Sequence, residues 1–151
     1  MSARRRARKS EEGSILVEFA LSVFLMVTVF AGVFQFGYTF YAYNTLVNAV
    51  REGSRYASLK PYDSATSTPS TSFQTAVQNF VVYGDPSGGT TPVVRGLSTS
   101  NVNLSVAASG GTPVSVTVSI TGFSLDAVFQ TVTLNGKPSC TFPYLGIPTP
   151  P

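Results

Sequence analysis

One apolar run dominates the first third of the chain. Residues 14–34 are 21 consecutive positions with a single charge, Glu18. A helix rises ~1.5 Å per residue, so this run spans roughly 32 Å and matches a bilayer hydrocarbon core of about 30 Å. The pattern predicts a transmembrane helix over residues 14–36, preceded by a polar leader, residues 1–13.

A secretory signal peptide is the alternative explanation for an apolar run near the N-terminus. Such peptides have an apolar stretch of about 7–15 residues, followed by a small-residue cleavage site. The run in this chain is longer and carries a carboxylate near its start. Its best small-residue site, Val29 and Ala31 before Gly32, is poor. The pattern therefore favours a retained membrane helix.

A second helical pattern continues beyond the apolar run, as an amphipathic extension over residues 37–60. Apolar residues recur at three- and four-residue spacing, which is typical of one helix face. These are Phe36, Phe40, Tyr43, Val47, Val50 and Ala57, and the opposite face carries Asn44, Asn48, Arg51, Glu52 and Arg55. Pro61 bounds the pattern, because the residue before a proline is biased away from helix. We expect one continuous helix from about Ser14 to Leu59.

The aromatic stripe of this extension has two interpretations. One is an aromatic belt at the membrane surface combined with packing on an outer domain. The other is a contact surface between subunits of a filament. Gly37 and Gly53 are expected to be weak points of the helix, because glycine has a low helix propensity.

The rest of the chain predicts a small outer domain, residues 73–142, after a Ser/Thr/Pro/Ala-rich linker, residues 61–72. Its first element is a short amphipathic helix with one apolar face. That face is Phe73, Val77, Phe80 and Val81. The glycine-rich loop that follows, residues 84–92, lacks the lysine and spacing of a phosphate-binding loop.

Two β-hairpins are predicted from alternating apolar and polar residues. The first pairs Val102, Leu104 and Val106 with Val114, Val116, Val118 and Ile120 across a five-residue loop. The second pairs residues 131–134 with residues 137–142 across Asn135-Gly136, a dipeptide that favours a type I′ turn. The predicted fold class is α+β, a long N-terminal helix with a small C-terminal antiparallel β-sheet domain.

Two further segments have weaker patterns. Residues 123–129, between the hairpins, are expected to form a short turn or helix. Residues 143–151 form a Pro-rich tail that is expected to fray, as chain termini commonly do.

The net charge of the chain is confined to its leader. The chain has ten basic and seven acidic residues, net +3, and residues 1–13 hold five of the basic and two of the acidic ones. The remainder is neutral, so nucleic acid is not an expected partner, since its binding needs basic charge on the folded part. By the positive-inside rule the leader is cytoplasmic. The protein is thus expected in the inner membrane as a single-pass protein, with its outer domain periplasmic or extracellular.

The side-chain inventory excludes several kinds of chemistry. The chain has no histidine and one cysteine, Cys140. Catalysis by Ser-His-Asp or Cys-His groups and the usual zinc sites are therefore excluded. Asp63, Asp85 and Asp126 are scattered without paired spacing, so we expect neither an enzyme nor a metal or cofactor site. Cys140 is either a half-buried strand residue or the site of an intermolecular disulfide.

The start of the apolar run carries a recognisable motif. The basic leader ends at Gly13, four uncharged residues follow, and Glu18 and Phe19 open an unbroken apolar helix. This order resembles the signature of type IV pilins and pseudopilins, in which a prepilin peptidase cuts after the glycine. The resemblance implies that the peptidase recognises Gly13, Glu18 and Phe19, and that Ser14 becomes the new N-terminus.

The position of Glu18 within an apolar helix costs free energy. A carboxylate in a membrane helix costs about 2.5–3.5 kcal/mol at the bilayer centre and less near an interface. Glu18 therefore either marks a functional partner or lies hydrated at the headgroup level. The pilin resemblance implies that Glu18 of one subunit pairs with the Ser14 ammonium of a neighbour. Such a pair would set the register of packed helices more than their stability.

Residues beyond the membrane narrow the resemblance. Gln35-Phe36-Gly37-Tyr38, Phe40-Tyr41-Ala42 and the segment Asn48–Ala57 are similar to the TadE-like pseudopilins of the tight-adherence (Tad or Flp) type IV pilus machinery. The most specific part is a block formed by Arg51, Glu52, Gly53, Arg55 and Tyr56. Val50 stands where the family has a second alanine. The resemblance covers about residues 13–59.

This resemblance implies a minor pilin or pseudopilin that assists assembly of a surface pilus by packing of its N-terminal helix. Its implied partners are the prepilin peptidase, other pseudopilins, the major pilin, the inner-membrane platform protein and membrane lipid. The alternative is an uncleaved, membrane-anchored binding or adhesion module. The Ser/Thr-rich strands of the outer domain leave that alternative open.

Overall fold

A computed structural model of the protein describes residues 2–64, 66–110, 112–126 and 131–147, with side chains described from Gly13 onward. In chain order the elements are helices α1 (Ser2–Leu59) and α2 (Thr71–Tyr83), a 3₁₀ turn (Thr99–Asn101), and strands β1 (Val102–Ser109), β2 (Thr112–Asp126) and β3 (Thr131–Pro143). The predicted α+β class, a long N-terminal helix with a three-stranded antiparallel sheet, is confirmed. The chain divides into two units, Met1–Tyr38 and Thr39–Pro151.

The first unit is a single helical segment whose large apolar side chains are not buried by any other part of the described chain. From Ile15 to Phe36 the exposed large apolar side chains keep between 53% and 78% of their surface open. A helix that is apolar on every side needs lipid or other helices around it. Among the described residues, α1 is the one helix long and apolar enough to cross a membrane. The helix also begins earlier than expected, at Ser2, since the arginines, alanines and glutamates of the leader are good helix formers.

In the second unit α1 buries small and medium side chains. Ala42, Leu46, Val50 and Ala57 enter the core, and Ser54 and Ser58 are buried beside them. The predicted stripe divides in the structure, because Val50 and Ala57 enter the core whereas Phe36 and Phe40 remain 78% and 71% exposed. Both sets recur at three- and four-residue spacing, so periodicity alone does not choose between them.

Helix α2 confirms its prediction and extends it slightly. Its N-cap is Ser70, whose hydroxyl accepts a hydrogen bond from the backbone N–H of Phe73 at 3.1 Å. The helix ends at Gly84, which has a φ of 75°, a conformation that favours glycine. Phe73, Val77, Val81 and Val82 are buried. Phe80, expected on the same face, is half-buried.

The sheet is a meander in the order β1-β2-β3. The strand pairing of the first predicted hairpin is confirmed, with Val102 opposite Ile120 and Val106 opposite Val116. Its predicted five-residue loop is wrong, because Ser109 pairs with Thr112 and Ala108 with Pro113. The second predicted hairpin is wrong, because β3 runs without interruption through Asn135-Gly136. That dipeptide lies at an irregular pairing, where the side-chain oxygen of Asn135 accepts a hydrogen bond from the N–H of Gly122 at 3.2 Å.

Gly122 is the extra residue of a β-bulge in β2. Residues 116, 118 and 120 face the core, and after Gly122 (φ 66°) the buried positions become Phe123 and Leu125. One inserted residue reverses the alternation of faces. The expected turn or helix over residues 123–129 was wrong for residues 123–126, which continue β2. Residues 127–129 lie outside the described part of the chain.

The predicted linker and tail also contribute to the folded unit. Tyr62, within the linker, is fully buried and packs edge-on against Phe73 at 5.4 Å. Tyr144, in the predicted fraying tail, accepts a hydrogen bond from the Tyr62 N–H (2.8 Å) and donates one to the Lys60 carbonyl (2.9 Å). The tail is therefore held through at least Gly146, whose N–H donates to the Ser58 carbonyl. Residues 148–151 lie outside the described part.

Candidate assembly site on the N-terminal helix

The predicted processing and pairing residues all lie on the exposed surface of α1. Gly13, Ser14, Glu18 and Phe19 are each exposed. Ser14 and Glu18 are one helical turn apart, so they are neighbours on one face, with Cβ atoms about 5–6 Å apart. Side chains on a helix lean toward its N-terminus, which directs the Glu18 carboxylate toward the Ser14 end. Positions 14 and 18 therefore share one face of α1, and the pairing of Glu18 with the Ser14 ammonium of a neighbouring subunit stays a prediction.

The Glu18 carboxylate is free to pair with a group from another chain. Within the described residues it has no hydrogen bond or ion pair. Its backbone carbonyl accepts a hydrogen bond from the Ser22 hydroxyl at 2.8 Å, within the helix. No other charged residue occurs between Gly13 and Arg51. From Ser14 to the end of the first unit at Tyr38, Glu18 is therefore the one charged side chain.

Gly13 has no structural requirement for glycine. A Cβ atom added at this position would meet nothing within 4 Å, and the same holds for Gly32 and Gly37. The α1 helix is continuous across all three. A requirement for glycine at position 13 would therefore come from a second protein that handles this segment and not from the fold.

The block at residues 51–56 separates into two sets with different environments. Arg51, Glu52 and Arg55 are exposed, and within the described chain their side chains have no hydrogen bond or ion pair. Gly53 and Tyr56 instead face the interior of the second unit. The block therefore combines a packing function with a free, charged outer face.

At Gly53 the backbone of α1 lies close against Val81 of α2. A Cβ atom at this position would overlap the Cγ2 atom of Val81 and lie 3.5 Å from its Cβ. Tyr56 stacks on Phe80, with ring centroids 4.7 Å apart and planes 7° from parallel. The Lys60 ammonium lies 5.8 Å from the Tyr56 ring centroid. Glycine at position 53, which was expected to weaken the helix, is thus required for the packing of α1 against α2.

Replacing Gly53 by alanine is expected to destabilise the second unit. Alanine gains up to about 1 kcal/mol of helix propensity, but overpacking against a stiff valine costs about 1–3 kcal/mol. Thermal unfolding of the full chain in detergent should therefore show a lower Tm for Gly53→Ala. At Gly37 an added Cβ atom meets nothing within 4 Å, so Gly37→Ala is the matched control and should not lower the Tm. Adding Val81→Ala should recover part of the loss, and strict additivity of the two substitutions would contradict the proposed overlap.

Two serines that sequence reasoning missed complete this packing face. The Ser54 hydroxyl donates to the Val50 carbonyl at 2.8 Å and lies 3.1 Å from the Cys140 carbonyl of β3. The Ser58 carbonyl accepts from the N–H groups of Leu145 and Gly146, both at 2.9 Å. The helical spacing of small and medium-sized side chains at positions 42, 46, 50, 54 and 57 was the available signal. The large aromatic residues at neighbouring positions follow the same spacing, so this pattern was not recognised in the sequence.

Cys140 has the environment predicted for a strand residue. It is a half-buried free thiol on β3, opposite Val118, and packs against the core. The predicted half-buried strand position is confirmed, and the intermolecular disulfide stays a prediction. Across the described ranges, no group of three or more His, Cys, Asp or Glu residues lies close enough to hold a metal ion.

Titratable groups near the start of α2 have shifted pKa values. The Ser70 hydroxyl donates to Asp63 at 2.6 Å and lowers the pKa of that carboxyl, with Ser72 adding a second bond at 2.9 Å. The stability that Asp63 contributes is therefore lost as pH falls through its folded-state pKa. Burial raises the pKa of Tyr62 and of Tyr144. Their contribution is present below the ordinary tyrosine pKa of about 10 and is lost at higher pH.

Comparison with known proteins bears on this helix alone. Residues 13–55 match the family model described as TadE-like protein. The match begins at Gly13 and ends at Arg55, so it contains the predicted processing residues, Glu18 and most of the block. No curated protein and no solved structure matches the chain.

Proposed function

With residues 13–55 identified as a TadE-like segment, we propose that this protein is a minor pilin or pseudopilin of a tight-adherence pilus. In this proposal it is anchored in the inner membrane by α1, with the leader in the cytoplasm and the second unit on the outer side. It assists pilus assembly by lateral packing of α1 against other pseudopilins and the major pilin. A prepilin peptidase and the platform protein of the pilus machine are its further partners.

One observation carries the proposal. The TadE-like match includes the segment from Ile15 to Phe36, whose large apolar side chains are exposed and which carries one charged side chain, Glu18. A lone membrane anchor does not need that carboxylate, and lipid offers it no partner even at the boundary where it costs least. In a bundle of such helices, the carboxylate of one subunit has the ammonium of another as its partner.

Processing supplies that ammonium. Cleavage of the Gly13–Ser14 bond would create a positive charge at Ser14, one turn from Glu18 of the same subunit and available to Glu18 of the next. It would also remove the entire net charge of the chain, because residues 14–151 are neutral. A neutral subunit packs laterally without the self-repulsion of a charged one.

N-terminal sequencing of the protein extracted from membranes of its own host tests the processing step. We expect a mature chain that starts at Ser14, and an intact Met1 would count against a pilin. Gly13→Val should block cleavage and leave the fold unchanged, because the position is open. Gly32→Val makes the same change at another open position of α1 and should be cleaved normally. Equal processing of both variants would contradict recognition at Gly13.

A further inference from the structure

In the second unit α1 leaves a group of aromatic side chains uncovered. We call Phe40, Tyr41 and Tyr43 the aromatic collar, and their exposed fractions are 71%, 70% and 36%. Ala42, in their midst, is buried in the core. The fold therefore uses one side of the helix here and leaves large aromatic rings on the others.

We propose that the aromatic collar is a lipid-binding surface that inserts into the headgroup region of the outer leaflet and fixes the depth of α1 in the membrane. The proposal rests on the membrane insertion proposed above. It adds a specific boundary, at which the hydrocarbon region ends near Phe40.

The type of aromatic residue changes at the collar. Every aromatic residue from Ser14 to Phe36 is a phenylalanine: Phe19, Phe24, Phe30, Phe34 and Phe36. The first tyrosines of the chain are Tyr38, Tyr41 and Tyr43. A phenylalanine ring suits hydrocarbon, whereas a tyrosine has an apolar body and a hydroxyl that needs a polar partner, which suits the interface. Within the described chain no hydrogen bond is made by these three hydroxyls.

The spacing between the collar and Glu18 matches a bilayer. Glu18 and Phe40 are 22 residues apart on one helix, which at ~1.5 Å per residue is about 33 Å. The hydrocarbon core is about 30 Å thick. With the collar in the outer headgroup region, Glu18 therefore lies at the inner boundary, where a carboxylate is least costly.

The arrangement around the helix favours lipid over a single protein neighbour. At ~100° per residue, Tyr43, Phe40 and Tyr41 lie about 100°, 160° and 260° around the axis from Ala42. One packed helix covers a stripe of roughly 100°, too narrow for all three. Lipid surrounds the helix on every side that the core leaves open.

Tryptophan fluorescence tests the collar, because the chain contains no tryptophan. Three variants of the full chain are placed singly in phosphatidylcholine–phosphatidylglycerol vesicles. They are Phe30→Trp at mid-span, Tyr41→Trp in the collar, and Asn48→Trp, an exposed position two turns further along the same face. Each is measured with lipids brominated near the headgroup and with lipids brominated near the chain end.

We expect Phe30→Trp to lose fluorescence mainly to the deep bromines, Tyr41→Trp mainly to the shallow ones, and Asn48→Trp to neither. If Tyr41→Trp is unquenched with red-shifted emission like Asn48→Trp, the collar is in water and the proposal fails. If it is unquenched with blue-shifted emission, a second copy of the chain covers it, and the proposal also fails. Absence of quenching at Phe30→Trp would instead refute membrane insertion itself, and the collar with it.

Discussion

A chain that begins at Pro61 is expected not to fold, whereas a chain that begins at Thr39 should. Residues 42–58 of α1 provide one side of the core of the second unit, with Leu46 and Val50 at 0% and 1% exposure. Burying such a side chain is worth about 1.5–3 kcal/mol, and removal of the segment also uncovers α2 and the sheet. The total is comparable with the whole stability of a small domain, about 5–15 kcal/mol.

Two chains, residues 61–151 and residues 39–151, separate these expectations. The longer chain should show a cooperative thermal transition and dispersed amide resonances in mild detergent, which also shields Phe40 and Tyr41. The shorter chain should show neither. It would lack the Ser58 and Lys60 carbonyls that accept hydrogen bonds from Gly146 and Tyr144. A cooperative transition from the shorter chain would show that α1 is dispensable to the core.

Loss of the Glu18 charge is expected to abolish assembly while leaving insertion and cleavage intact. Glu18 is exposed and has no partner within the described chain, so Glu18→Ala disturbs no contact of the fold. In a helical bundle it would strand the Ser14 ammonium of a neighbour in apolar surroundings. Removing one partner of a buried pair costs about 3–5 kcal/mol, which is more than a hundredfold in an association constant.

Photocrosslinking in the host provides the measurement. A photoreactive residue at Leu25, two turns from Glu18 on the same face, should crosslink the parent chain to other pilus subunits and fail to do so with Glu18→Ala. Ser22→Ala, one turn away and equally exposed, is the matched control and should crosslink normally. Glu18→Gln keeps the size and removes the charge, so it should behave as Glu18→Ala. Normal crosslinking of both Glu18 variants would refute the charge-pair mechanism.

Periodicity predicted the elements that depend on one segment alone. The apolar run, α2 and the first hairpin each have a pattern that no distant residue needs to complete. The motif at Gly13 and Glu18 likewise lies within six residues. These features could be predicted from the sequence because the lipid environment or the local backbone geometry determines each of them.

The features that were missed depend on residues far apart in the chain. Gly136, in the Asn135-Gly136 pair, has a φ of 71°. A glycine with positive φ suits a tight turn and an irregular strand pairing equally well. The partner strand decides between them, through Gly122. The buried face of α1 likewise follows from the close approach of Val81 to Gly53, since small residues allow that approach and the larger aromatics do not.

The closure of the second unit by Tyr144 has a kinetic consequence. Its hydrogen bonds with Tyr62 and Lys60 join residues 82 and 84 positions apart, and contacts of such high sequence separation form late in folding. Until Tyr144 is in place, the Tyr62 N–H and the Lys60 carbonyl, just past the end of α1, lack these partners. The end of α1 is therefore expected to be among the last parts of the second unit to become protected from hydrogen exchange and proteolysis.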